Sequence, residues 1–106
     1  MTNLIDKKCV GHDELVVLGE SEIKNYLLQL KEGWSLGGNK IKKQFTFEDF
    51  VKAMEFVNKV AVLAEEEGHH PDIAINYSKV EITLSTHFVK GLSENDFIVA
   101  VKIDNI

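Results

Sequence analysis

The stretch "TFEDFVKAMEFVNKVAVLAEEEG", residues 46–68, decides the fold, because it is the longest run of the chain that keeps one helical period. Thr46 and Asp49 have capping-box spacing, and Gly68 is placed to supply the left-handed residue that closes a helix. The pattern predicts a helix from Phe47 to about Glu67. Its main apolar stripe is Phe47, Phe50, Val51, Met54, Val57 and Ala61, and a second stripe, Phe56, Val60 and Leu63, lies on roughly the opposite side. A helix packed on a single sheet does not need both. The second stripe is therefore expected as a subunit contact, with burial under the N-terminal segment as the alternative.

Working outward, two short segments of strand character flank this helix. "WSLGGNKIKKQF", 34–45, reads as a hairpin turning at Gly37-Gly38-Asn39. "DIAINYSKVEITLSTH", 72–87, reads as a second hairpin turning near Ser78-Lys79. In it Val80, Ile82, Leu84 and Thr86 alternate with Glu81, Thr83, Ser85 and His87, the period of a half-buried strand. A helix over 21–33, with Ser21 as its N-cap and Gly33 after its last turn, precedes the first hairpin. "GLSENDFIVAVKIDNI" begins a last helix, with Ser93 and Asp96 at capping-box spacing. The order helix, two strands, long helix, two strands, helix implies an α+β fold, a four-stranded antiparallel sheet with three helices on one face. Residues 1–20 are expected as an N-terminal arm and 21–106 as a single domain.

Bulk properties narrow the function. The chain has 106 residues and a formal net charge of −5, which argues against nucleic acid or an anionic membrane as a partner. A single cysteine, Cys9, excludes an internal disulfide. No run has the length of a signal-peptide core or a membrane span, so a cytoplasmic location is expected.

The chemistry-bearing residues cluster after the long helix, in "EEEGHHPD", 65–72. Cationic imidazole is favoured at a helix C-terminus, and Glu65, Glu66 and Glu67 oppose the dipole there, a broken local rule of the kind found at functional sites. Pro71 drives His70 to an extended conformation, so the rings of His69 and His70 are expected to diverge and take distinct roles. Glu65, four residues before His69, is placed to orient its ring. His87 ends a strand on its polar face; if that face walls a pocket reached by His69, several imidazoles converge, supplying both an acid and a base near neutral pH. These residues alone leave a solvated polar loop equally open. Cys9 and His12, spaced Cys-x-x-His, form half of a zinc site and carry little weight without the other half.

Taken together, Glu65, His69-His70-Pro71, Tyr77, His87 and Asp96 resemble the spaced signature of the pterin-4a-carbinolamine dehydratases. "GW" at 33–34, "FTFEDFVKAMEFVNKVA", "ITLSTH" and "GLSENDF" extend the resemblance from about Leu18 to Ile103. It implies dehydration of 4a-hydroxytetrahydropterin to quinonoid dihydropterin, which recycles the tetrahydrobiopterin of an aromatic amino-acid hydroxylase, a further partner. It also implies no metal, no cofactor and a homodimer or homotetramer. By the resemblance His69, His70 and His87 are catalytic: His69 and His87 move protons, and His70 positions the hydroxyl and ring. Glu65, Pro71, Tyr77 and Asp96 bind or orient, with Asp96 acting through His87. Two departures stand out. Ile73 occupies a position that is often aromatic in animal members, and Cys9 with His12 stands where many bacterial members have Cys-x-x-Cys.

Two other functions compete. A non-catalytic regulator would use Phe56, Val60 and Leu63; the resemblance implies such a role through the helix face by which animal members serve as dimerisation cofactors, and for bacterial members regulation of a hydroxylase or a part in molybdopterin metabolism. A metal-dependent site would use the three histidines.

Overall fold

In the computed structural model, which describes residues 3–106, the elements follow in the order α1 (Glu20–Leu27), β1 (Ser35–Gly37), β2 (Lys40–Thr46), α2 (Phe50–Glu67), β3 (Asp72–Asn76), β4 (Lys79–Leu84) and α3 (Glu94–Asp104). Single 3-10 turns at Leu4–Asp6, His12–Glu14 and His87–Val89 complete the described chain. The strands form one antiparallel sheet in the order β1-β2-β4-β3. This is the expected α+β arrangement of four strands and three helices.

Strand alternation fixes the register. Ile41 pairs with Leu84, Lys43 with Ile82 and Phe45 with Val80, so the apolar positions of β2 and β4 share one face. Ile41, Val80, Ile82 and Leu84 are fully buried and join one core with α2 and α3. The same alternation turns Lys43 inward, where it lies over the rings of Trp34 and Phe45. Its ammonium meets the buried carboxylate of Asp104 at 2.7 Å, and that carboxylate also accepts from Trp34 Nε1 and the Lys31 amide. An inward lysine thus ties the sheet to the end of α3. Helix α3 is buried almost all round, as expected of a helix packed against α2 and against the first turn of the arm.

The structure corrects several expectations. Helix α2 starts at Phe50 rather than Phe47, because Asp49, not Thr46, is the N-cap: its carboxylate accepts from the Lys52 amide at 2.9 Å. Thr46 instead ends β2. Helix α1 spans Glu20–Leu27 with Gly19 as N-cap, not 21–33 with Ser21; Glu22 reaches back to the Gly19 amide. The β3–β4 turn is Tyr77-Ser78, one residue earlier than expected.

The largest correction concerns the two stripes of α2. Ala53, Phe56, Val60 and Ala64 are buried, Leu63 packs against the same core, and Phe56 stacks on Phe45 and Phe47. Phe56 and Val60 are therefore core residues of this chain rather than an open face for a subunit, and Leu63, partly buried, packs at their edge. The exposed apolar positions are Phe50 (48%), Val51 (63%) and Val62 (60%), largely from the side expected to face the sheet. Small Ala53 and Ala64 on the buried face admit close packing of neighbouring elements; the alanine on the other face, Ala61, lies in solvent.

Phe56→Ala is expected to cost about 3–5 kcal/mol of stability, the range for deleting a buried phenyl ring, and Val51→Ala less than about 0.5 kcal/mol. Urea denaturation of the two variants checks the assignment of faces.

Candidate active site

The end of α2 sets the first part of the site. Gly68 adopts φ 66°, a left-handed conformation that glycine takes without strain. The Gly68 amide donates to the Glu65 carbonyl and the His69 amide to the Ala64 carbonyl, the paired bonds of a Schellman motif. This closure turns the chain at Gly68 and carries His69 inward. The His69 side chain is only 7% exposed, and its Nε2 lies 2.7 Å from Oδ1 of Asp96, which is fully buried.

Asp96 gathers the other parts. Its Oδ2 accepts from the Ser93 amide at 3.0 Å, the back-bond expected of a capping box, and from Thr86 Oγ1 at 2.7 Å. Thr86 Oγ1 also meets Ser93 Oγ at 2.7 Å; since the threonine hydroxyl has one proton and gives it to Asp96, Ser93 is the donor there. Asp96 already accepts from Thr86 and Ser93, and a carboxylate oxygen accepts, so the His69 ring nitrogen is the donor in the third contact. The proton therefore sits on Nε2, which leaves Nδ1 of His69 as the ring nitrogen free for chemistry.

The loop after β4 provides the opposite wall. Thr86 and Gly91 exchange backbone hydrogen bonds, and the 3-10 turn His87–Val89 lies between them. Gly91 lies close under the arm: a Cβ there would meet Val17 Cγ2 at 2.8 Å, and the Val17 side chain would have to shift. His69, His70 and His87 converge with Gly68, Ser85, Thr86, Phe88 and His12 on one cleft of about 210 Å³. Beyond His87 the surface continues into a second recess of about 260 Å³ lined in part by Asn39, Lys40, Lys90 and Gly91.

The expected site residues are only partly brought together. The rings of the adjacent histidines diverge: His69 is buried, and His70 is exposed. Glu65 pairs with His70 (Nε2 to Oε2, 2.9 Å) rather than with His69. Asp96 acts on His69, not His87; the helical spacing that made it a cap also aims it at the ring before β3. Pro71 precedes β3 and is not among the cleft-lining residues. Tyr77 sits in the hairpin turn, 69% exposed, at the far end of the strands from His70 and His87. In this chain it does not reach the cleft.

Sequence reasoning missed His12, Phe88, Thr86 and Ser93 as parts of the site. His12 carried a signal, its Cys-x-x-His spacing, but the structure separates the two residues: Cys9 Sγ contacts the Asn95 carbonyl, while His12 stacks on Phe88. The Cys9 thiol is pushed up to about 12 by burial and by neighbouring Glu67, so it is no nucleophile at neutral pH. Among the described residues no group of three or more His, Cys, Asp or Glu could hold a metal ion. Nor is any described helix long and apolar enough to cross a membrane.

Carboxylates fasten the arm beside the site. Glu67 accepts from the Cys9 amide at 2.8 Å and from Lys102 at 2.7 Å; Glu94 accepts from Lys7 and from Tyr26, each at 2.7 Å. Burial raises both pKa values, but the lysine hydrogen bonds and the other donors outweigh it and hold both below the ordinary carboxylate range. A carboxylate depressed in the native state contributes stability above its unfolded pKa of about 4.3, and that contribution is lost as pH falls through the native value. The protection factor of the Cys9 amide, its exchange measured against the intrinsic rate at the same pH, should therefore fall on acidification below about pH 4.3, and Glu67→Ala should bring the same loss of protection at neutral pH.

Residues 16–106 match the family model described as pterin 4 alpha carbinolamine dehydratase. A relative from Alkaliphilus metalliredigens, provisionally named pterin-4-alpha-carbinolamine dehydratase, is 42% identical over 106 residues, 98% of this chain and 96% of its own. One from Nitrosomonas eutropha, named in the same way, is 43% identical over 108 residues with the same coverage. Among solved structures, the transcriptional coactivator/pterin dehydratase of Brucella melitensis superposes with a TM-score of 0.79 at 36% identity, covering 84% of this chain and 96% of that one. A pterin dehydratase-like protein described as a RuBisCO assembly factor in the alpha-carboxysome gives 0.60 at 27% identity, covering 70% and 88%.

Proposed function

The chain belongs to the pterin-4-alpha-carbinolamine dehydratase family, and on that premise we propose that it dehydrates 4a-hydroxytetrahydropterin to quinonoid dihydropterin and water by histidine acid–base catalysis. The observation that carries this reading is the convergence of His69, His70 and His87 on one cleft, with His69 held against buried Asp96. The elimination removes a proton from N5 and delivers one to the 4a-hydroxyl as the C4a–O bond breaks, so it needs a base and an acid on the same substrate. His69 takes the N5 proton on Nδ1, because the Asp96 carboxylate stabilises the imidazolium that forms. His87, across the cleft, protonates the departing hydroxyl. His70, held by Glu65, positions hydroxyl and ring. The cleft is smaller than the roughly 300–1,000 Å³ of drug-sized sites, which suits a ring system entering by one edge. The product would re-enter the cycle of an aromatic amino-acid hydroxylase.

Decay of the 4a-hydroxytetrahydropterin ultraviolet band during hydroxylase turnover tests this. Wild type should accelerate the decay, and His69→Ala or His87→Ala should lose about 10²–10⁴-fold of that acceleration. No acceleration by folded wild type would end the enzymatic reading.

A second reading is favoured by the exposed apolar positions of α2. Phe50, Val51 and Val62 form a docking face, either for a second copy or for a regulated partner, in a family whose relatives include a coactivator and an assembly factor. Phe50→Asp should then abolish association in size-exclusion chromatography or pull-down while leaving the monomer folded. A biological effect lost with Phe50→Asp and kept with His69→Ala would favour docking over catalysis.

A further inference from the structure

We propose that the N-terminal arm is part of the binding site: His12 and Phe88 form a stacked aromatic wall that takes one face of the pterin ring. The inference rests on the dehydratase reading and adds to it a substrate-binding element contributed by residues before the family match at residue 16.

Three observations carry it. The rings of His12 and Phe88 lie 5.2 Å apart, centroid to centroid, at 26°, and both residues line the histidine cleft. Both are exposed, Phe88 at 62%, so the pair presents apolar ring surface to the opening rather than closing a core. The position of His12 is built, not incidental. Val10 exchanges two hydrogen bonds with the Asn95 side chain, at 3.1 and 2.9 Å, and the Cys9 amide is held by Glu67. Asn95 is buried and sits next to Asp96, the residue that holds His69, so one turn of α3 sets both the arm and the imidazole. Two residues beyond Val10, the 3-10 turn His12–Glu14 begins, and it brings the ring onto Phe88.

Among the described residues no other aromatic pair lines the cleft. Ile73, at the position that is often aromatic in animal members, packs against the core, and Tyr77 lies at the far end of its hairpin. The other cleft residues are three imidazoles, two of them hydrogen-bonded to carboxylates, a glycine and two hydroxyls. A flat heteroaromatic ring with its reacting edge toward His69 and His87 meets a stacking partner at His12 and Phe88.

The test uses the full chain and two readouts: fluorescence titration with oxidised biopterin, which binds without reacting, and steady-state dehydration. Phe88→Ala and His12→Ala should each weaken biopterin binding and raise KM roughly three- to tenfold, with kcat little changed. His12→Phe should restore both to wild-type values and leave the pH profile unmoved. Unchanged Kd and KM in both alanine variants of an active protein would overturn the wall alone. Loss of kcat with an altered pH profile in His12→Phe would also overturn it, by making His12 a proton carrier. A changed oligomeric state in Phe88→Ala with unchanged KM would make Phe88 a subunit contact instead. Wild type that neither binds biopterin nor turns over would remove the dehydratase reading together with the wall.

Discussion

Asp96 is fully buried, and a carboxylate in that position persists only if every lone pair it turns inward meets a donor. Here the donors come from three separate elements: His69 after α2, Thr86 after β4 and Ser93 at the start of α3. The contact is therefore a structural junction and a chemical one at once. It locks the end of the long helix, the end of the central strand and the start of the buried helix in one geometry. The same bonds fix which nitrogen of His69 is available.

The hydrogen-bonding pattern explains why the two adjacent histidines differ so sharply. The Schellman closure at Gly68 sends His69 toward Asp96, and the following residue, ahead of Pro71, emerges to meet Glu65. A buried imidazole with a fixed partner keeps one orientation, and an exposed one with a solvated partner does not. Glu67, the last acid of the same helical turn, faces neither and instead holds the arm at the Cys9 amide while its other oxygen accepts from Lys102 of α3. The run of three glutamates that opposed the helix dipole thus splits into separate uses, at least two of which the structure makes visible.

The resemblance marked His69, His70 and His87 because identity and spacing along the chain suffice to recognise a signature. What those residues do to one another was harder to read. Asp96 could be placed at a cap from its three-residue offset to Ser93, but its second oxygen reaches a ring 27 residues away in sequence. Glu65 stands four residues before His69, a helical neighbour distance, yet the helix ends between them and periodicity stops applying at Gly68. His12 carried a motif suggestive of metal, and nothing local indicates that the arm folds back onto α3.

The sequence by itself determined the elements and their order, since alternation along β4 and the glycine closing α2 are local properties of backbone and side chain. It also showed that α2 has two apolar stripes. Only the tertiary structure decided which residues face the core: Phe56 and Val60 of one stripe are buried, while Phe47 and Val57 of the other pack at its edge. Both stripes satisfy the helical period equally, and the choice falls to packing: which face can approach β4 and α3 closely and stack Phe56 between Phe45 and Phe47. The site followed the same division. Its residues are written in the chain, but the pairing of His69 with Asp96 and the arrival of His12 at Phe88 depend on distances between segments that no local pattern encodes.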